Sequence, residues 1–211
     1  DEDSGDNDGN SSNIDLSQYG GWPIKNGEYE ALFKNSQIRN DKVDEVDSIV
    51  RRIKKNQSRY QKVGKQLGIP WYFIAIIHNM ESSLNFNGHL HNGDPLNART
   101  KHDPEGYPKQ GEPPFTWEES AVSAMKSKNF HRKNDWSLSK ILERLEKYNG
   151  WGYRLNDFDV LSPYLWSFSN LYTSGKYVRD GVFDKNAVSK QAGAAVLLKR
   201  MEEKGWINIK H

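Results

Sequence analysis

The chain has 211 residues, 35% of them hydrophobic, with a formal net charge of +2, seven tryptophans and no cysteine. That length suits one domain plus a tail. The absence of cysteine excludes disulfides and thiolate chemistry. No stretch reads as a signal peptide or as the roughly 20-residue apolar run that a membrane span needs.

Residues 1–18, DEDSGDNDGNSSNIDLSQ, are acidic and nearly free of apolar groups. They cannot bury enough surface to offset the entropy of ordering, which predicts a disordered tail or linker ahead of a domain at 19–211. Residues 19–42 hold Gly20-Gly21-Trp22-Pro23 and then Tyr29, Leu32 and Phe33. They read as an extended lead-in that lays aromatics on the domain, with a short helix at 28–34. Val46, Ile49, Val50, Ile53, Tyr60, Val63 and Leu67 recur at helical spacing, which predicts one amphipathic helix over 43–67 stopped by Gly68.

Pro70 suits a first helical position, and Trp71 to Ile77 is apolar throughout. The pattern predicts a helix buried on all sides. It ends on His78, Asn79, Glu81, Ser82 and Ser83. Apolar surroundings and the negative helix terminus both disfavour an ionised Glu81, so its pKa should rise and its carboxyl could serve as a general acid.

Residues 85–115 contain four glycines and five prolines, which excludes long helices. With Asn92-Gly93 as a tight-turn signal, the stretch reads as a small β-hairpin lobe plus loops. Beyond it, Thr116 and Glu119 form a capping box for a helix to about residue 129. Ser137 opens another that Gly150 closes. Ser162-Pro163 starts an aromatic helix through Tyr172, 173–183 read as turns, and Asp184 caps a last helix over 185–204 closed by Gly205. The fold class is mainly α (α+β), a helical lobe with a small β-hairpin lobe.

Glu81-Ser82-Ser83 followed by Leu-Asn-Phe resembles the Glu-Ser signature of lysozyme-like peptidoglycan glycosidases and lytic transglycosylases. Tyr148-Asn149-Gly150 resembles the Tyr-Asn-Gly segment that lytic transglycosylases and goose-type lysozymes place beside the catalytic Glu. Asp94 and Thr100 match the Asp-to-Thr spacing of phage-type lysozymes, although the gap from Glu81 to Asp94 is longer than in that family. The resemblance spans roughly residues 69–200. It implies a lysozyme-like fold and a muramidase cleaving the β-1,4 bond between N-acetylmuramic acid and N-acetylglucosamine. Glu81 would be the acid, with Asp94 and Thr100 holding a water. If Asp94 does not operate, it implies a lytic transglycosylase giving 1,6-anhydro products. His78, Ser82, Ser83, His91, Tyr148, Asn149, Trp151 and Tyr153 are the candidate substrate-binding residues.

Composition is compatible with that expectation. Aromatics reach 12%, and aromatic faces with polar edges suit sugar grooves. Six of the 28 acidic residues lie in residues 1–15, leaving 22 against 30 basic residues, a body of formal charge +8. A basic body suits a polyanionic wall polymer. Nucleic acid is the rival partner, but no nucleic-acid-binding motif is present. The expected setting is secreted or in the cell envelope, as a monomer without stable membrane insertion, metal or cofactor. Two other classes stay open. One is a zinc-dependent cell-wall amidase or peptidase built on His78, His89, His91, Asp94 and His102, against which stands the lack of an HExxH motif. The other is a non-catalytic glycan-binding module. Chitin-type glycans are a further substrate class.

Overall fold

The computed structural model describes residues 14–156 and 158–211. The described residues form nine α-helices and one two-stranded antiparallel sheet. The helices are α1 Glu28–Asn35, α2 Val43–Lys55, α3 Gln57–Leu67, α4 Trp71–Ser82, α5 Trp117–Ser127, α6 Leu138–Asn149, α7 Gly152–Leu155, α8 Pro163–Trp166 and α9 Ala194–Glu203; the strands are β1 Lys176–Arg179 and β2 Val182–Asp184. None of the helices is long and apolar enough to cross a membrane.

The core is built around α4, in which every residue from Tyr72 to Met80 is buried. α3 and α9 pack on it, and α9 also touches α2 and α8. α9 can lie this close because Gly193, Ala194 and Ala195 present almost no side chain. A Cβ on Gly193 would land on the Leu165 carbonyl. The all-apolar stripe from Trp71 to Ile77 is therefore legible as what it is, a helix enclosed by neighbours rather than one with a wet face.

Several elements depart from their expected bounds, each for a local reason. The helix expected over 43–67 is two helices. Asn56 sits at φ −103°, ψ 13°, and its side-chain amide donates to the Arg52 carbonyl. Asn competes for backbone groups in this way and interrupts helices. Pro70 precedes α4 as its extended cap rather than opening it. The aromatic helix expected through Tyr172 stops at Trp166, where the chain turns extended at Ser167 and Ser169 bridges Ile38. Asp184 does not cap the last helix: it ends β2 and accepts the Asn186 N–H at 2.8 Å, while α9 starts only at Ala194. The Thr116–Glu119 capping box is present as expected.

The β lobe also lies elsewhere. Residues 85–115 hold one isolated bridge, Gly88 to Pro95, and no regular strand. Five prolines remove the donors a ladder needs. The hairpin is at 176–184, where turns were expected, with Tyr177 opposite Phe183 and the turn at Asp180-Gly181, Gly181 at φ +69°. Asp-Gly between the apolar pairs Tyr177-Val178 and Val182-Phe183 is a hairpin signal.

Of the tail expected over 1–18, residues 1–13 lie outside the described residues. Residues 16–18 form a 3₁₀ turn capped by Asp15, and Ile14 and Leu16 pack on the core. The folded part thus begins before residue 19. The lead-in is pinned by a buried ion network. Arg154 Nη1 meets Glu28 at 2.7 Å and its Nη2 meets Glu146 at 2.9 Å, while Tyr29 donates to Glu146 at 2.6 Å. At the other end of α1, the Lys199 ammonium donates to the Phe33 carbonyl at 2.7 Å, a cation on the negative end of a helix.

Candidate active site around Glu81

Glu81 sits in the last turn of α4, where that buried helix reaches the surface. The turn closes through two left-handed residues in succession, Ser83 at φ 52° and Leu84 at φ 61°. Their N–H groups bond back to the Asn79 and His78 carbonyls at 3.0 and 3.3 Å. The Gln191 side chain donates to the Met80 carbonyl at 2.7 Å. These bonds fix the direction in which Glu81 projects.

The Glu81 carboxyl accepts one hydrogen bond, from the Tyr164 hydroxyl at 3.1 Å. Burial pushes its pKa up to about 7; the Tyr164 bond and the Lys128 ammonium pull the other way but lose. Tyr148 and Tyr164 both have pKa values raised by burial and by the neighbouring Glu81. Lys128 lies 5.3 Å from the centre of the Tyr148 ring. The arrangement is a single carboxyl between two phenols with one cation at its edge. A carboxyl raised this far keeps near neutral pH a proton that a free one would lose, as a general acid requires.

Tyr148 is near enough to Glu81 for that carboxyl to raise its pKa. Sequence reasoning did not single out Tyr164 as the acid's partner, nor Lys128 or Gln191. Of the three only Tyr164 is picked out by the sequence, as one of the aromatics (with Trp117, Trp151, Tyr153 and Trp166) that could stack a sugar, and nothing in spacing ties it to Glu81.

Asp94 and Thr100 have other partners. The turn before Asp94 does pack on the site: a Cβ on Gly93 would lie 3.6 Å from the Ser82 Cβ and 3.8 Å from the Glu81 carbonyl oxygen. But the Asp94 carboxylate accepts the Lys101 and His102 N–H groups at 2.7 and 3.0 Å, His102 Nδ1 at 2.7 Å and the Asn92 amide at 3.2 Å. These bonds hold its pKa well below the usual carboxylate range. The Thr100 hydroxyl donates to the Pro104 carbonyl at 2.5 Å and accepts the Tyr107 N–H at 2.9 Å. Both residues close the 92–108 loop.

The expected binding residues divide. His78 is fully buried between Tyr60, Phe86 and Trp117. Its Nε2 donates to the Asn85 carbonyl at 3.1 Å, which leaves Nδ1 to accept from Tyr60 at 2.9 Å. Burial lowers its pKa to about 4, so it is neutral. It is a core residue and does not face a groove. Tyr153 is likewise structural: its hydroxyl accepts the Tyr177 N–H at 3.0 Å and its ring packs on the hairpin. Ser82 bonds back to the His78 carbonyl, and Ser83 and Asn149 are exposed. His91 is buried, with Nε2 3.1 Å from the Ser123 hydroxyl, and its pKa is lowered to about 4 by burial, His89 and Lys128. Trp151 meets Trp22 edge-on at 5.6 Å.

His89 spends its ring nitrogens on Ser120 and the Ala98 carbonyl, both at 2.8 Å. Among the described residues no group of three or more His, Asp or Glu side chains could hold a metal ion. Protein-family models, curated proteins and solved structures give no match to this chain.

Proposed function

We propose that this chain is a peptidoglycan glycosidase of the lysozyme-like kind, cleaving the bond between N-acetylmuramic acid and N-acetylglucosamine with Glu81 as general acid. The observation that carries the reading is the Glu81 carboxyl. It stands at the surfacing end of a buried helix, its pKa is raised to about 7, and it bonds Tyr164. Burial keeps a carboxylic acid protonated where a free one would have ionised, and glycosidic cleavage needs that proton on the leaving oxygen. The +8 body supports a polyanionic wall as the partner. Such a substrate places the protein outside the cytoplasmic membrane, and a single site of this kind works in a monomer.

Two outcomes follow protonation. A muramidase needs a second carboxylate, to hold a water on the far face of the sugar in an inverting enzyme or to act as nucleophile in a retaining one. The bonds of Asp94 and Thr100 favour the other outcome, that of a lytic transglycosylase. There the bond from C1 to the leaving oxygen breaks as Glu81 supplies a proton. The muramic 6-hydroxyl then attacks C1, its proton returns to Glu81, and the product is a 1,6-anhydro sugar. One carboxyl suffices for both proton transfers.

The test is digestion of purified peptidoglycan by wild type and Glu81→Gln, with mass spectrometry of the soluble fragments. Anhydro-muropeptides absent from the mutant digest are the expected result. Reducing muropeptides would keep the glycosidase and return Asp94 and Thr100 to the water. Free peptides, or no products from the wild type, would overturn it in favour of the amidase or the glycan-binding module. Cleavage of chitin but not peptidoglycan would change the substrate class.

A further inference from the structure

Trp22 is 56% exposed, in a segment that has no reason to leave an indole in water. Its backbone is pinned on both sides. Gly20 N–H and Lys25 N–H donate to the two carboxylate oxygens of Glu28, each at 3.2 Å, and the Arg154 guanidinium donates to the Gly21 carbonyl at 3.1 Å. Glu28 and Arg154 are themselves buried. A buried ion pair thus holds the backbone on either side of a solvent-facing tryptophan. Exposing so large an apolar face forgoes roughly 2 kcal/mol of burial, and the pinning removes the loop freedom that could have covered it.

Trp151, half-buried, meets Trp22 at 62° between ring planes, so the two indoles form a corner. Beside Trp22 lies a pocket of about 290 Å³, near the lower end of the small-ligand range, walled by Tyr19, Trp22 and Phe158 with Ser17, Gln18 and Lys25 at its polar edge. Aromatic faces with hydroxyl, amide and ammonium groups around them suit a pyranose, whose ring faces are apolar and whose rim is polar. An apolar peptide would leave the polar groups unmatched.

The corner lies near the Glu81 site along the chain. Trp151 follows Tyr148 by three residues, so their Cα atoms lie at most about 11 Å apart, and Tyr148 neighbours Glu81. We infer that Trp22 and Trp151 form a distal subsite that stacks an N-acetylated β-1,4-linked sugar of the same glycan strand Glu81 cleaves. The assignment rests on the glycosidase reading for its substrate class.

The experiment measures binding of the N-acetylglucosamine trimer and hexamer to the Glu81→Gln protein, with and without Trp22→Ala, by calorimetry. The expected result is about tenfold weaker hexamer binding on loss of Trp22, little change for the trimer, and recovery of most of the loss in Trp22→Phe. Equal hexamer affinity with and without Trp22, or no hexamer binding to the parent, would overturn the subsite. Equal losses for trimer and hexamer would overturn its distal placement. Peptidoglycan cleavage by wild type and Glu81→Gln is read in parallel. If Glu81→Gln still cleaves while Trp22→Ala loses the hexamer, the acid assignment fails and the subsite stands. If Glu81→Gln is inactive and Trp22→Ala binds normally, the reverse holds.

Discussion

At Glu81 one carboxyl serves reactivity at the expense of stability, and both effects depend on pH. As the acid, it must be protonated, so kcat/KM for glycan cleavage should fall as pH rises through about 7. The Tyr164 hydrogen bond and the Lys128 charge both favour the ionised form. Lys128→Ala or Tyr164→Phe should therefore move that limb to higher pH, and a pH–rate profile of each variant reads the shift. Stability follows the same linkage. The folded pKa is raised, so the contribution is fully present below the unfolded value of 4.5 and is lost as pH rises through about 7. Glu81→Gln has nothing to ionise. It should melt with wild type at pH 4 and gain on the order of 3 kcal/mol over it at pH 8, which paired thermal scans at the two pH values would show. At this scale the sequence exposes Glu81 well, because an apolar run that delivers a carboxyl is visible one-dimensionally. It exposes Asp94 and Thr100 poorly. Their spacing is visible, but the donors that occupy them belong to Asn92, Lys101, His102 and Tyr107 and to a fold of the loop that spacing does not encode.

Among the elements, the long loop between α4 and α5 shows how polar side chains can replace a sheet. Arg99 donates to the Pro108 and Gly111 carbonyls, Thr100 ties Pro104 to Tyr107, and Asp94 gathers four donors. Asp94→Asn keeps the shape but loses charge-assisted acceptance, each such bond contributing roughly twice a neutral one. Limited proteolysis should then cut within 92–108 faster than in wild type, with cleavage of the glycan reduced far less than in Glu81→Gln. Wild-type resistance in the variant, with activity abolished, would instead make Asp94 part of the chemistry. The glycine before α9 gives a sharper case. Gly193→Ala drives a methyl into the Leu165 backbone, which cannot yield without separating α8 from α9. A loss of several kcal/mol is expected in urea unfolding. Helix existence was readable from periodicity, whereas the ends of α8 and α9 were not. Both are set by contacts across the chain, such as the bridge from Ile38 to Ser169, that leave no local signal.

For the molecule as a whole, the Glu28–Arg154–Glu146 network decides how the lead-in, α6 and α7 stay together. Arg154 is 4% exposed and its two carboxylate partners less, so none of the three charges has water to fall back on. Their geometry is good, with contacts of 2.7 and 2.9 Å and a further hydrogen bond from Tyr29. Removing one partner from such a set costs far more than the set adds, because it strands the others. Arg154→Met should lower stability by about 3–5 kcal/mol at pH 7. Burial already raises the Glu146 pKa against the pull of Arg154. Without the guanidinium it would rise further, so acid should neutralise the stranded carboxyl and return part of the loss. Urea unfolding of wild type and Arg154→Met at pH 7 and pH 4.5 tests this: the gap between them should narrow in acid. A gap that is the same at both pH values would mean that Arg154 contributes packing alone, and that the lead-in bearing Trp22 is held by its shape rather than by charge.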